Sequence, residues 1–350
     1  MAKSDTTLED IANVVGVSTS SVWKAINNRP DVSSVTRKRI LALAEKMKYA
    51  PRQSQYVLTT GTATALKRVG IVCFEQDRHM LANQAYQRLL QSIEQHLGRI
   101  HADMVVEFAG SSLPRCYVTR RVDGLIVTRR PTSQQLQDLT DMPFVVCPNV
   151  PDGYYNCNCV AQDNYGGGIM VTCYMANKGH RRILFASHES HVTAFKGRLA
   201  GYCQVMRSEG LREVVITDTR PIAECGETLA KKIASEIELS GITAIFASSD
   251  HCAECLIEDL AALGFNVPED ISITGWDNSP TETWRGPKIT SVDGNWQQAG
   301  KEAVRLLARL CGENGDKDEP IRILTTPKLI EGETVAPPKN HDGKKTYGAN

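Results

Sequence analysis

No apolar run in these 350 residues approaches the ~18–20 needed to cross a bilayer, which excludes a transmembrane protein. The opening stretch, MAKSDTTLEDIANVVG, is polar and lacks the apolar segment of a secretory leader, so a cytoplasmic protein is expected. Aromatic residues are scarce at 6%, while 41% hydrophobic and 23% charged residues give the balance of a globular chain, not a disordered one. Enzyme signatures are missing as well. There is no Walker loop, no GxSxG elbow, no HExxH and no strand-linked GxGxxG. Asp277 and His180 could pair as acid and base, but nothing places a nucleophile beside them. No heptad pattern follows residue 311, so a C-terminal coiled-coil tetramer is not expected.

Cysteine is plentiful instead, with eleven residues scattered from Cys73 to Cys311. The number is odd, and most sit inside apolar runs such as VGIVCF and PFVVC, where a thiol behaves as a small hydrophobe. Reduced thiols fit this distribution better than a disulfide framework. Cys252-x-x-Cys255 and Cys157-x-Cys159 lack a second ligand pair, so neither a metal nor a cofactor is expected.

The formal net charge is zero, but it is unevenly spread. Residues 1–60 hold nine Lys/Arg against five acids, leaving 31 basic and 35 acidic residues for the remainder. A basic head on a slightly acidic body suggests a polyanion partner at one end. At ~100–150 residues per folding unit, the chain exceeds one domain.

The head reads as three short helices. Thr7 caps the first, whose Leu8, Ile11, Ala12 and Val15 recur on one face before Gly16 stops it. Ser18 caps the second, with Val22, Ala25 and Ile26 inward and Ser20, Lys24 and Asn27 outward, flanked by Ser21 and Trp23. Thr36 caps the third, whose Ile40, Leu43, Ala44 and Met47 point inward. Short helices around a Gly-containing turn describe a helix-turn-helix, and its outward side chains can reach base edges or phosphates.

The spaced set Thr7-Leu8, Ile11-Ala12, Gly16-Val17-Ser18, Val22, Asn27, Val32-Ser33, Thr36-Arg37 and Tyr49-x-Pro51 resembles the head of the lactose/galactose-repressor family of bacterial transcription regulators. The resemblance implies that Thr7, Ser18, Asn27, Ser33 and Thr36 hold phosphates of double-stranded DNA, while Thr19, Ser20 and Lys24 read bases. Two positions depart from the family: Trp23 replaces a small Ser, and Lys24 replaces an Arg fork with a point charge. Residues 52–62 match the family's hinge, with Leu58 as the wedge that opens the minor groove; Gln55-Tyr56 stand where Ala-Arg is usual.

From Val69 onward, apolar runs alternate with helical patterns. The expected strands are 69–74, 104–108, 124–128, 144–147, 182–186, 214–217, 244–248 and 271–276, with one last strand in IRILTTPKLI. Helices are expected over 84–97, 164–178, 197–209, 227–239 and 250–263, whereas 110–122 has room only for a trimmed one. Such alternation argues parallel sheets covered by helices, and ~270 residues argue two lobes, with ligands beyond the strand ends. Asp163-Asn164, Gly167-Gly168, Lys178-Gly179-His180, Arg198-x-x-Gly201-Tyr202, Asp250, Pro268-x-Asp270-Ile271-Ser272 and Gly275-Trp276-Asp277 extend the resemblance to residues ~6–335.

The expected organisation is a helix-turn-helix head (1–50), a hinge (51–66), a two-lobed α/β body like periplasmic sugar-binding proteins (67–335) and a polar tail (336–350). The resemblance implies an effector-controlled regulator, a repressor in the family's usual sense, that binds a pseudo-palindromic operator as a homodimer. Arg198 and Asp277 would grip a small polar effector, with a sugar as the family's commonest case, helped by Ser249 or Asp250 and by Gln76 and Asp77. Ser249 stands where the family has Asn, and Gly294 where it often has a polar residue. Plainer roles also exist: Arg198 and Asp277 as an inter-lobe salt bridge, and Asp250 as a helix cap. A transport-type sugar-binding protein would share the body but has no use for the head, and an α/β enzyme would need a catalytic constellation.

Overall fold

The computed structural model describes residues 8–26, 33–47, 66–74, 83–129, 131–139, 141–148, 156–279, 281, 284–312 and 319–339. The chain divides into two compact units, Met1–Ala63 and Thr64–Asn350.

In the first unit, α1 (Leu8–Val15), α2 (Thr19–Ile26) and α3 (Ser34–Lys46) surround one small core. Ile11, Ala12, Val22, Ala25, Ile40 and Ala44 are buried there, with Val15, Val17, Leu43 and Met47 against them. The described members of the apolar stripes therefore face the core, as their spacing predicts. Gly16 ends α1 at φ +76, a left-handed conformation that costs glycine nothing. That turn lets the Gly16 and Val17 N–H groups both donate to Ala12 O, at 2.9 and 3.1 Å. The cap of α3 differs from expectation. It is Ser33, whose Oγ accepts from Thr36 N at 3.1 Å, while Thr36 is the third helical residue. Both hydroxyls suit a cap, and the one outside the first turn takes the role.

The second unit holds two six-stranded sheets. The first lobe begins with β1 (Arg68–Cys73), α4 (Gln84–Arg99), β2 (Asp103–Phe108), α5 (Arg115–Val118), β3 (Gly124–Thr128), α6 (Ser133–Gln137), β4 (Phe144–Val146) and β5 (Cys159–Gln162). The four-residue α5 is the trimmed helix. The second lobe follows with α7 (Asn164–Asn177), β6 (Ile183–Ser187), α8 (Thr193–Ser208), β7 (Val214–Thr217), α9 (Ile222–Ser240), β8 (Ala244–Ala247), α10 (Asp250–Ala262), β9 (Ser272–Trp276) and β10 (Thr290–Asp293). The chain then returns to the first lobe as α11 (Trp296–Leu310) and β11 (Arg322–Thr325), and finishes in the second as β12 (Lys328–Ile330).

The strand orders are β11-β5-β4-β3-β1-β2 and β12-β10-β9-β8-β6-β7. All pairings are parallel except β10 with β12. Separate apolar clusters cover the two faces of each sheet, which is why the central strands read as unbroken apolar runs. The single strand expected at IRILTTPKLI is in fact two, one in each sheet, divided at Thr326-Pro327. Proline supplies no N–H to a ladder, so a crossing is a natural place for it. The chain passes between lobes three times, after β5, β10 and β11, and each crossing leaves from the carboxyl end of a strand.

Candidate functional site

In the head, Thr19, Ser20, Ser21, Trp23 and Lys24 all lie within α2, and Thr19 is exposed. Ser18 caps that helix: its Oγ accepts from Ser21 N at 3.1 Å and lies 2.9 Å from Ser21 Oγ. Ser18 and Ser33 are exposed and each sits at a helix N-terminus, where the free N–H groups favour an anion. Lys38 and Arg39 are exposed on α3. Thr7, Asn27 and Leu58 fall outside the described residues, as do Gln76 and Asp77 in the body.

In the body, the site is assembled around Arg198. Two helices must come close to position it. A Cβ on Gly168 of α7 would lie 2.5 Å from Arg198 O, and one on Gly201 of α8 would lie 2.3 Å from Tyr165 O. With hydrogen at both places α7 and α8 pack backbone to backbone, and Asn164 at the start of α7 reaches Arg198. Its Oδ1 accepts from Arg198 Nε at 3.0 Å, while Nη1 donates to the carbonyl of Ser248. The guanidinium lies 4.1 Å from the centre of the Trp276 ring and 5.2 Å from that of Phe195. Burial draws the Arg198 pKa down to about 10, against the pull of Asp277 and Asp250, so it stays charged at neutral pH. Among the described residues its Nη2 has no acceptor.

Asp277 follows β9 at φ +103, its N–H donating to Val292 O at 2.8 Å. Oδ1 is buried and has no hydrogen-bond partner among the described residues. Burial raises its pKa, opposed by Arg198, Arg88 and Arg129 in that order. Arg198 belongs to the second lobe, like Asp277, while Arg88 and Arg129 come from the first. No Arg198–Asp277 ion pair within 4 Å forms among the described residues, so the inter-lobe salt bridge is not what these side chains make.

Ser249 and Asp250 lie beside this pair but are engaged. Ser249, not Asp250, caps α10, its Oγ accepting from Cys252 N at 3.1 Å. Asp250 accepts from Ser279 N at 2.7 Å and from Ser291 Oγ at 2.6 Å. Burial pushes its carboxyl up to about 8. Ser279 Oγ in turn accepts from Ala85 N at 3.0 Å, and Arg88 donates to Asp277 O, to Asn278 O at 3.1 Å and to Asp293 Oδ2 at 3.0 Å. The start of α4 is thus fastened to the segment carrying Asp277.

Gly294 is explained by Gln162. A Cβ there would meet the Gln162 amide at 2.4 Å, and Gln162 Nε2 is buried without a partner among the described residues. Asn164, Ser248, Arg88, Arg129 and Gln162 were missed as site residues in the sequence. Ser248, Arg129 and Gln162 follow or end strands, a position that marks ligand contacts in such folds. Arg88 sits in an amphipathic helix and carries no comparable signal.

Residues 7–52 match the model for bacterial regulatory proteins of the lacI family, and 172–335 match that of a periplasmic binding protein-like domain. The transcriptional repressor PurR of Pasteurella multocida (strain Pm70) is 26% identical over 343 residues, which span 94% of this chain and 98% of the relative. The transcriptional regulator CelR–cellobiose complex superposes with a TM-score of 0.65 at 25% identity, covering 94% of this chain and 99% of that one. The lac repressor dimer bound to operator and the anti-inducer ONPF gives 0.63 at 21%, covering 95% and 99%, a likeness of fold.

Proposed function

From a chain that belongs to the lacI family of bacterial regulatory proteins, with a helix-turn-helix head and a periplasmic-binding-protein-like body, we propose a repressor that binds a pseudo-palindromic operator as a homodimer and is controlled by a sugar held between its lobes. The observation that carries the effector reading is Asp277 Oδ1, a buried carboxylate oxygen with no partner among the described residues, beside the open edge of Arg198. A sugar hydroxyl donates to the one and accepts from the other, which satisfies both buried groups at once. A cationic ligand satisfies only the carboxylate, and a purely apolar one satisfies neither. The similar regulator CelR, solved with cellobiose, supports this class of ligand.

In this reading α2 enters the major groove. Thr19, Ser20 and Lys24 read bases, with Ser21 and Trp23 beside them, while Thr7, Ser18, Asn27, Ser33 and Thr36 meet phosphates and Leu58 acts in the minor groove. Two heads on one dimer match half-sites about one helical turn apart. The fastening of α4 to residues 277–279 is the relay by which a ligand on Asp277 changes lobe closure. Titration of mono- and disaccharides by calorimetry tests this. One sugar should bind to the wild type, and Asp277→Asn should weaken its binding about 10- to 100-fold. Equal binding to both proteins places the ligand elsewhere.

A further inference from the structure

Where α4 and α11 run side by side, on the flank of the crossovers, lies a polar cavity of about 500 Å³. That volume suits a metabolite-sized ligand. Its floor is fixed: a Cβ on Gly300 would lie 2.8 Å from Ser92 Cβ, and Ser92 Oγ donates to Gln297 O at 2.6 Å. The walls are cationic and unspent. Lys301 from α11 and Lys328 from β12 make no ion pair or hydrogen bond among the described residues, and neither do the side-chain amides of Gln91, Gln95 and Gln297. Arg88 stands at the inner end, its buried Nε unsatisfied among the described residues. The nearby carboxylates are already engaged: Asp293 by Arg88, and Glu302 by Gln298 and Arg305. The first turn of α11 adds the positive end of a 15-residue helix.

We propose that this cavity is a second ligand site, distinct from the one at Asp277, for a small polyhydroxylated oxyanion of the phosphorylated-sugar class. The two ammoniums hold the anionic group and the three carboxamides hold hydroxyls. Amides alone would suit a neutral sugar; the pair of free lysines is what selects an anion. The two lysines come from different lobes, Lys301 from the first and Lys328 from the second. An anion held by both therefore favours one lobe arrangement. Arg88 touches both this cavity and the backbone of Asp277, so the two sites are coupled and each ligand alters the affinity of the other reciprocally. The coupling rests on the effector reading above; the binding does not.

The test is calorimetric titration of full-length protein with ribose 5-phosphate, with inorganic phosphate and ribose as controls. The wild type should bind ribose 5-phosphate saturably, phosphate more weakly and ribose not at all, with affinity falling as salt rises. Lys301→Gln with Lys328→Gln should weaken the sugar phosphate about tenfold or more, while Asp277→Asn leaves it unchanged. Both lysine changes are at solvent-accessible positions, and a thermal midpoint near that of the wild type verifies the fold. No saturable binding to the wild type, equal binding of ribose, or binding indifferent to both lysines overturns the proposal. Loss in Asp277→Asn with both lysines dispensable instead assigns the sugar phosphate to the inter-lobe site and also overturns it.

Discussion

The Arg198 guanidinium stacks on the face of Trp276, 4.1 Å from the ring centre, and that contact sets the geometry of the pocket. Trp276 is fully buried and packs against Gly167, where a Cβ would come within 2.2 Å of the ring. The ring therefore cannot move away from Arg198, and the cation is held over its face. Trp276→Leu should lower stability by ~2–4 kcal/mol, measured by urea unfolding, because it opens a cavity and frees Arg198. A loss below ~1 kcal/mol would mean that the neighbouring side chains collapse into the space.

Asp277→Asn should behave in the opposite way. Oδ1 satisfies nothing in the protein among the described residues, and burial already disfavours the charge, so the fold loses little. Effector affinity should fall about 10- to 100-fold in a binding titration, the range for a lost charged hydrogen bond. Operator affinity without effector should stay near the wild-type value.

Asp250 makes stability depend on pH. Its folded carboxyl titrates at about 8, raised by burial, against ~3.9 for an unfolded aspartate. The folded state therefore keeps a proton that the unfolded state has lost between those values. The contribution is fully present below pH ~4 and is lost as pH rises towards 8. Asp250→Asn should flatten this slope, so that the difference in unfolding free energy between pH 5 and pH 8.5 shrinks. An unchanged slope would show that the carboxyl is ionised in the folded protein across that range.

Gly294→Ala should strain the crossover, since the new methyl would meet the Gln162 amide at 2.4 Å. The variant should lose ~1–3 kcal/mol by chemical denaturation, the usual range for overpacking. Adding Gln162→Ala should restore part of the loss, giving a coupling of ~0.5–3 kcal/mol in a double-mutant cycle. Additive losses would show that the two positions do not press on one another.

Much of this was legible in the chain. The apolar spacing of Ile11, Ala12, Val22, Ala25, Ile40 and Ala44 marks the head core because helical periodicity alone decides it. Strands such as 124–128 and 244–247 stand out because buried parallel strands are short and continuously apolar. β5 and β10 did not, since CVAQ and TSVD mix polar residues into short crossover strands. The sequence points to Thr36 as the cap of α3, and the backbone gives the role to Ser33 three residues earlier. Resemblance singles out Arg198 and Asp277, but Asn164 and Ser248 hold the arginine through contacts 34 and 50 residues away, which no local pattern encodes. Arg88 reaches Asp277 across 189 residues for the same reason.

The most direct test couples the two ends of the molecule. An operator selected from random duplexes by the wild-type protein is labelled, and its binding is followed by fluorescence anisotropy as mono- and disaccharides are added. One sugar should change operator affinity about 5- to 150-fold, the usual span of such coupling, and Asp277→Asn should bind the same operator with no response to that sugar. A wild type that selects no sequence, or an Asp277→Asn protein that responds as fully as the wild type, would contradict the account.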